Sequence, residues 1–408
     1  MKKILVLSLL SFTTGTHHIN SSRTFIVLDS SVFELPFTAY EQPSLIMQCQ
    51  DDTFYILNYY GSQFYVIDKN GSINKQIELN KVLATRYKYF PVNFYLSKHY
   101  YVFNDGNLHP LFLNKSFKVG GYFFCRIFSD HYWGSYMISD FFYSEKNNKV
   151  YLPCYYGKQD TDTIQSLTHD FYTKNIIASY NIPYLKSADP LVTRRDTNFL
   201  KWVYNPQYLI HHDSIYSGER GFLPYLDFAA ISLDDAENEV TVGEAADSLL
   251  KVYDLNGNLL RTFGRNGVYI EAKDSLRFIR NFDKKTLPDL AFGFIMDSIR
   301  YRCAYYGAIK QNPELKLLAR SYLVPDSSTI VSGKDAGYSA IRIWNLSTIK
   351  ETWCLQVYDH ENLVGDFAIP KHWSFIGFRG KSLVFFKIFH IENSDRYTLH
   401  IYYVSPQI

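Results

Sequence analysis

Two stretches decide the fold: Val252–Phe263 (VYDLNGNLLRTF) and Val66–Ile77 (VIDKNGSINKQI). Both read apolar-apolar-Asp-x-Asn-Gly-x-apolar-x-basic-x-apolar, with strand-forming residues on either side of the Asn-Gly pair. That pair predicts a two-residue type I′ turn, because both central residues of this turn need positive φ angles. Each stretch is therefore a predicted β-hairpin, and its recurrence predicts a repeat architecture.

Further copies are looser. One begins at Val357 (VYDHENLVGDFAI) and lacks the Asn-Gly pair, and a strand-turn pattern begins at Ile341 (IRIWNLSTIKETW). The separation of Val66 from Val252 accommodates three units of about 60 residues, somewhat longer than the usual propeller blade. Six such units nearly fill the 408 residues, and no linker-like run divides the chain.

The predicted strands are apolar on both faces, which indicates that each sheet is covered on both sides. Parallel α/β sheets are covered in this way too, but they need amphipathic helices between strands, and the sequence has almost none. Blades of a propeller pack between two neighbours. The sequence thus predicts an all-β, six-bladed β-propeller, with seven blades or stacked β-sandwiches as alternatives. The strands that support this are 54–57, 64–67, 123–128, 150–155, 383–389 and 397–404.

Two further expectations concern particular segments. A closed ring predicts that the first strand, around Thr24–Leu28, pairs within the last blade near Tyr397–Val404, which leaves no exposed edge there. The segment that begins at Asn312-Pro313-Glu314 fits a capped helix with proline at its first position. A strand pair is the alternative for that segment.

The N-terminus of the chain suggests export. Lys2 and Lys3, an apolar run over Ile4–Phe12 and small residues to Thr16 are typical of a signal peptide, so residues 1–16 are the predicted signal and 23–408 a single propeller domain. A buried first strand is the alternative. No Cys precedes Cys49, so lipid anchoring is not expected. No segment is long and apolar enough for a transmembrane span, and the expected location is the periplasm or cell envelope.

Amino-acid composition limits the classes of partner and chemistry that are expected. The 42 basic and 40 acidic residues nearly cancel, so no nucleic-acid partner is expected, and the protein is expected to be a monomer. The five cysteines form no CxxC pair, which argues against zinc or redox chemistry. They are expected to be buried small apolar residues, with a disulfide in an oxidising compartment as the alternative.

Part of the sequence resembles known propellers. Residues 228–264 resemble one repeat of NHL-type propellers, through the acidic turn, the VYDLNG hairpin and a closing Phe-Gly. Over a longer span, the chain resembles an exported Bacteroidetes family of TolB-like six-bladed propellers, the domain of unknown function 4221. Phe25–Asp29, Tyr305–Tyr322 and Trp353–Pro370 carry that likeness. The resemblance implies fold and location but no activity, and the chain departs from it by lacking a Cys after the leader.

No motif assigns catalysis, a cofactor or a metal. His211-His212-Asp213 is the one dense group of metal-type ligands, but adjacent strand residues point to opposite faces. The acidic run over Asp234–Glu239 lacks the glycine of an EF-hand loop and is expected to be a solvated turn. Asp254 and its neighbours imitate half of a calcium loop, but their flanks indicate a hairpin.

Candidate ligand-binding residues are aromatic side chains beside planar cationic ones, which suit a sugar or a carboxylate. One group is Arg194, Arg195 and Trp202, and the other is Tyr305, Tyr306 and Arg320. The leading hypothesis is a non-catalytic binding or scaffolding propeller of the cell envelope, with a small molecule, glycan or envelope protein at one end of the central channel. The alternatives are a lyase or hydrolase, with or without a metal, and a structural partner of an outer-membrane complex.

Overall fold

The structure is a computed structural model, and the account that follows covers part of the chain. The residues it describes are 26–35, 45–50, 52–58, 62–83, 89–105, 109–125, 141–153, 175–182, 200–203, 207–211, 229–234, 236–244, 247–268, 305–325 and 351–405.

Within these ranges the strands form six small sheets, the blades, numbered I to VI from the first complete one. Strand β1 is Ile26–Glu34. Blade I contains β2 (Leu45–Gln50), β3 (Thr53–Asn58), β4 (Gln63–Asp68) and β5 (Ile73–Glu78), followed by the short helix α1 (Leu79–Leu83). Blade II contains β6 (Pro91–Leu96), β7 (Tyr100–Asp105), β8 (Leu111–Asn114) and β9 (Val119–Cys125). Blade III contains β10 (Phe142–Ser144), β11 (Lys149–Pro153) and β12 (Asn175–Asn181), with β13 (Leu200–Val203) preceding its last strand, β14 (Gln207–His211).

Blade IV contains β15 (Ala229–Asp234), β16 (Glu239–Glu244), β17 (Leu250–Asp254) and β18 (Leu259–Phe263). Blade V contains β19 (Tyr305–Asn312), β20 (Leu317–Pro325), β21 (Glu351–Asp359) and β22 (Asn362–Ala368). Blade VI contains β23 (Ser374–Arg379), β24 (Ser382–His390) and β25 (Tyr397–Ser405). The prediction of an all-β, six-bladed propeller is confirmed.

Blade VI takes its fourth strand from the other end of the chain. Strand β1 pairs antiparallel with β25, from Ile26 opposite Ser405 to Glu34 opposite Thr398. The predicted closure of the ring by the two terminal strands is therefore confirmed, and the pairing extends six residues beyond the predicted Leu28. Each end of the described chain is fixed by a ladder of backbone hydrogen bonds.

A hydrophobic core lies between each pair of neighbouring blades. In β4, Tyr65 and Ile67 pack into the core shared with blade VI, whereas Phe64 and Val66 pack into the core shared with blade II. Successive strand residues point to opposite faces, so a strand that is apolar at every position serves two cores. The cores between II and III, III and IV, IV and V, and V and VI follow the same plan.

The hairpins differ from the prediction in their turns. At Gly71 φ is +83°, but Asn70 is not among the described residues with positive φ. The amide of Gly71 donates to the carbonyl of Asp68, and the amide of Asp68 to the carbonyl of Ser72. The predicted two-residue type I′ turn is therefore wrong. This is a type I turn with a bulge, and Asp68 fixes it by accepting hydrogen bonds from two backbone amides of the turn at 2.8 and 2.9 Å.

Blade II has the same type of turn, but without the Asn-Gly pair. Asn114 accepts hydrogen bonds from the amides of Ser116 and Lys118, both at 2.9 Å, as Asp68 does in blade I. Phe117 has a φ of +61° at the position of Gly71. In blade V, by contrast, His360 and Glu361 both have positive φ and form the two-residue turn predicted for the Asn-Gly copies.

The segment from Asn312 to Tyr322 is a strand pair, β19–β20, and not a helix. Leu317 and Ala319 pack into the core shared with blade VI, and Leu318 packs into the core shared with blade IV. This alternation has the period of a strand, and it outweighs the helix-start signal at Pro313. No helix in the described ranges could cross a bilayer; the helix found there, α1, has five residues.

Strand β13 belongs by sequence to the connection between β12 and β14 of blade III, but it pairs parallel with β9 of blade II. It lies outside β9 as the fifth strand of that sheet. The outer edge of a blade exposes unpaired backbone groups, and β13 covers this edge in blade II. It also joins blades II and III through backbone hydrogen bonds.

The two ends of the ring are unlike. At one end, the turn end, first strands pass to second and third to fourth through two to four residues, except within blade III. At the other, the loop end, second strands pass to third and each blade passes to the next. The long connections 126–141, 154–174, 212–228, 264–304 and 326–350 all begin and finish there.

Candidate functional site

The structure brings together two of the six predicted ligand-binding residues. Arg194 and Arg195 lie outside the described residues. Trp202 is in β13, on the outer edge of blade II, and Tyr305 begins β19; their side chains are not described. Tyr306 and Arg320 meet in blade V, on the side that faces blade IV. Trp202 is thus in a different blade from that pair.

The register of the hairpin β19–β20 brings Tyr306 and Arg320 together. Tyr306 pairs with Tyr322 and Ile309 with Arg320, and an irregularity between these pairs shifts the register. Arg320 shares a strand face with Leu318, which packs against blade IV. Gly243 of blade IV leaves space for it, since a Cβ there would lie 3.3 Å from Arg320 Nε and 2.9 Å from Ile309 Cδ1.

The Arg320 guanidinium is completely buried. It stacks on Tyr306, with Cζ 3.7 Å from the ring centroid. Its two terminal nitrogens donate to the carbonyls of Ser248 at 3.1 Å and Asp247 at 2.6 Å. Both carbonyls belong to the loop between β16 and β17, so Arg320 holds a loop-end connection of blade IV against blade V.

Asp366, near the end of β22, is the second buried charge of this cluster. Its carboxylate accepts hydrogen bonds from Tyr322 Oη at 2.6 Å, the amide of Val268 at 2.9 Å and Gln356 Nε2 at 3.2 Å. Burial raises the pKa of the Asp366 carboxyl above its usual value, although the hydrogen bonds oppose the shift.

The segment from Arg265 to Val268 lies across these side chains. The amide of Gly267 donates to Tyr306 Oη at 3.0 Å, and Gln356 donates to the carbonyl of Arg265 at 3.2 Å. A Cβ on Gly267 would lie 2.6 Å from the Tyr322 ring, so the backbone reaches the cluster only because this residue is glycine. The cluster therefore anchors the start of the long 264–304 connection.

The raised pKa of Asp366 has a consequence for stability. The folded state keeps the proton to a higher pH than the unfolded chain, whose carboxyl titrates near 3.8. The stabilisation from Asp366 is therefore complete below that value and is lost as pH rises through the folded-state pKa. We expect the difference in unfolding free energy between wild type and Asp366→Asn to fall over this interval and then stay constant to neutral pH. Urea unfolding across the pH series measures it, and a difference that rises with pH would contradict the assignment.

A second polar group at the loop end was missed by the sequence analysis. Asp105 is buried at the end of β7 and binds His109 twice, with Oδ1 accepting the backbone amide at 3.0 Å and Oδ2 lying 2.8 Å from Nδ1. Tyr89 Oη donates to the carbonyl of His109 at 3.0 Å. The Asp-x-x-x-His spacing across a short connection was the available signal.

The Asp105–His109 pair defines a tautomer. A proton on Nδ1 satisfies the carboxylate, so the neutral ring carries its acceptor lone pair on Nε2. The raised pKa of the buried Tyr89 phenol, due first to burial and then to Asp105, keeps that hydroxyl a donor. A buried carboxylate that orients an imidazole is the arrangement that proton-transfer catalysis uses.

The predicted metal-type groups act as turn residues where they are described. Asp234 Oδ1 accepts the amides of Ala236 and Glu237, and Lys316 Nζ lies 3.2 Å from Asp234 and 3.0 Å from Glu237. Asp254 accepts hydrogen bonds from the Asn258 side chain and from the amides of its own turn, and these lower the pKa of its carboxyl. No group of three metal ligands occurs among the described residues; His212 and Asp213 lie outside them.

The cysteines are described in part. Cys354 is buried against Tyr322 and Tyr306, and burial raises the pKa of its thiol to about 12, so it is a small apolar core residue as predicted. Cys49 is half-buried. The side chain of Cys125 is not described, and Cys154 and Cys303 lie outside the described residues.

Comparison with known proteins places the fold. No family model matches the sequence, and no curated protein matches it. A crystal structure of a member of the DUF4221 family from Bacteroides vulgatus is similar over 94% of this chain and 99% of that one, at 12% identity and a TM-score of 0.53. This chain has the fold of that DUF4221 protein. The sequence resemblance pointed to the same family, and it is confirmed at the level of the fold.

A second solved structure comes from Bacteroides fragilis, and its name describes that protein as exported. It is 12% identical, with a TM-score of 0.46, and the match covers 95% of this chain and 98% of that one.

Proposed function

We propose that the chain is a non-catalytic binding propeller whose ligand or partner contacts the loop end. The observation that carries this proposal is the asymmetry of the ring: the long connections meet at the loop end, while the turn end, apart from blade III, has tight turns. Binding residues are found disproportionately on loops that a rigid scaffold positions. A small molecule, a glycan or an envelope protein remains the proposed ligand class.

The buried cluster supports this proposal. Arg320 fixes the loop between β16 and β17, and Asp366 and Tyr306 fix the start of the 264–304 connection. Anchored connections lose less conformational entropy on binding. Tyr306 and Arg320 are buried, so we assign them the positioning of loops, while Trp202 and Tyr305 remain candidates for direct contact at the loop end. Arg194 and Arg195 belong to the connection that leaves β12 at the turn end, so they are candidates for contact outside the loop-end site.

Export to the periplasm or cell envelope is also a proposal, resting on Lys2, Lys3 and the apolar run to Phe12.

One observation favours a second candidate, a hydrolase or lyase at the loop end. In the Asp105–His109 pair, the carboxylate binds Nδ1, so the ring carries its acceptor lone pair on Nε2, as a general base requires. Asp105 is buried, and the His109 side chain is 21% exposed. In that case His109→Gln would abolish turnover and leave binding intact. In a binding protein the same variant changes affinity alone.

The loop-end proposal is testable by shortening one connection. Pro325 and Glu351 are paired neighbours on β20 and β21, so residues 326–350 can be replaced by Asn-Gly without moving either strand. We expect a thermal-shift screen with neutral oligosaccharides and peptides to give a hit for wild type, adding about 2.7 kcal/mol at a hundredfold excess over Kd. The shortened variant should lose that shift.

A matched control changes a turn at the opposite end. His360→Asn with Glu361→Gly places Asn-Gly in a turn whose two residues already have positive φ, and it should respond to ligands as wild type does. A wild type that responds to no probe, or a shortened variant that retains the full response, would contradict the assignment of binding to connection 326–350.

A further inference from the structure

The turn end carries a group of lysines between blades I and II, the basic ridge: Lys75, Lys98, Lys115 and Lys118. Lys75 is on β5, Lys98 follows β6, and Lys115 and Lys118 flank the turn between β8 and β9. Lys75 Nζ donates to the carbonyl of Lys115 at 2.7 Å, and Lys115 Nζ to that of Tyr100 at 3.4 Å. The ridge therefore joins two blades although the chain as a whole is nearly neutral.

Two cations elsewhere at this end are each held between two carboxylates. Arg261 lies between Glu239 and Glu361, and Lys316 lies between Asp234 and Glu237. Within the described parts of the chain, the four lysines of the ridge have no such ion pair. Glu145, which acts electrostatically on Lys115, is held by His99 at 2.5 Å to Nδ1 and 2.7 Å to the backbone amide.

Two aromatic rings organise the ridge. Tyr101 and Phe117 stack with centroids 5.2 Å apart. Lys115 Nζ lies 4.1 Å above the Tyr101 ring, and Lys75 Nζ lies 5.4 Å above the Phe117 ring. Such contacts orient an ammonium without neutralising it. Phe117 occupies the position where blades I and IV have Gly71 and Gly257, so the chain places a strained residue there to hold the rings and amines together.

The electrostatics favour an anion at this position. The pKa of the Lys115 amine is lowered to about 8, first by burial and also by Lys75, while Glu145 opposes the shift. A bound anion would offset both unfavourable effects, because an opposite charge favours the protonated amine.

We propose that the basic ridge binds an acidic polysaccharide through its carboxylate groups, at the end of the ring opposite the proposed loop-end site. Lysines suit carboxylates as point charges, and the lysine stems provide apolar surface for the C–H faces of sugar rings. The ridge and the loop-end site are independent, so failure of one leaves the other standing.

Three features of the ridge favour a polysaccharide over other polyanions. The amines cover the faces of Tyr101 and Phe117, so no nucleobase can stack there, as single-stranded nucleic acid requires. A planar anionic membrane would also meet the acidic turns around Glu237 and Glu239 at the same end. Three of the four lysines lie on turns and not along a strand edge, where an acidic peptide would add as a strand.

The test uses polygalacturonate as the probe, with dextran as its neutral counterpart, and titration calorimetry at low salt. We expect wild type to bind polygalacturonate but not dextran, with an affinity that falls as salt rises. Lys75→Gln with Lys115→Gln should weaken binding about tenfold or more, because charge-assisted contacts are lost. The control, Lys371→Gln with Lys381→Gln, removes the same charge from exposed turns of blade VI and should bind as wild type.

Two further readouts separate this site from general charge attraction. Near pH 8, wild type should take up protons on binding, seen as a dependence of the heat on buffer ionisation, and Lys115→Gln should abolish that uptake. Phe117→Gly relieves the positive φ and should keep the fold while weakening binding. Absent binding by wild type, or equal binding by both lysine double variants, would overturn the proposal; stronger binding to anionic vesicles, polyglutamate or single-stranded DNA would overturn the choice of polysaccharide.

Discussion

Gly71→Ala is expected to destabilise the folded ring by about 3–5 kcal/mol, whereas Gly380→Ala should cost only about 1–2 kcal/mol. Both glycines have positive φ, +83° and +54°, so both alanines bear the cost of the left-handed region. Only at Gly71 would the new Cβ meet the protein, 2.4 Å from Phe33 Cβ and 2.9 Å from its Cγ; at Gly380 nothing lies within 4 Å.

Phe33 cannot move aside. The atoms that clash are the first two of its side chain, which follow the backbone of β1, and its ring is buried in the core between blades VI and I, 6.0 Å from Phe54. The excess cost of Gly71→Ala thus falls on the closing strand. Urea unfolding of the two variants measures the difference. A Phe33→Gly background should remove the excess, since it lacks both the Cβ and the Cγ that clash; equal losses at both glycines would contradict this account.

Arg320→Met is the second change expected to have a large effect, at about 2–4 kcal/mol. It leaves the carbonyls of Asp247 and Ser248 without their donor and removes the cation from the Tyr306 ring. Arg320→Lys should recover little of this, because a single ammonium cannot stack on the ring and donate to both carbonyls. Lys310→Met on the same hairpin is the matched control and should change stability by less than about 0.5 kcal/mol.

Hydrogen exchange adds a local measurement to the Arg320 comparison. Amides in residues 247–250 should exchange faster in Arg320→Met and not in Lys310→Met, because only the first loses the anchor of that loop. Uniform loosening of all blades, with no excess at 247–250, would show that Arg320 supports the core generally and does not position this loop.

The fold was predictable because its decisive signals are local. Strands such as Gln63–Asp68 are apolar at successive positions, which requires two cores, and only stacked blades provide them without helices. The Asp-x-Asn-Gly repeat identified hairpins correctly although the turn type was wrong. The turn type was mispredicted because the Asp68 carboxylate accepts a hydrogen bond from the amide of Asn70. That bond keeps Asn70 out of the left-handed region and leaves only Gly71 there.

The sites were less predictable, because they depend on partners distant in sequence. Tyr306 and Arg320, singled out as candidate ligand-binding residues, lie together in the structure, but their burial depends on Gly267 and the loop at Asp247, which no local pattern reveals. Strand β13 pairs with blade II, which precedes its own blade in the sequence. The turn at Phe117 could not be recognised because the position with positive φ is usually occupied by glycine. The basic ridge was invisible to net charge, since the 42 basic and 40 acidic residues of the chain nearly cancel.

The pairing of β1 with β25 also determines when the molecule can close. The segment Ile26–Glu34 is synthesised before the strands of blades I to V, and its partner Tyr397–Ser405 is synthesised after them. Closure is therefore a contact of large sequence separation, which makes it slow. Until Tyr397–Ser405 has been synthesised, blade VI lacks a strand and β1 lacks its partner, so the nascent chain remains an open arc.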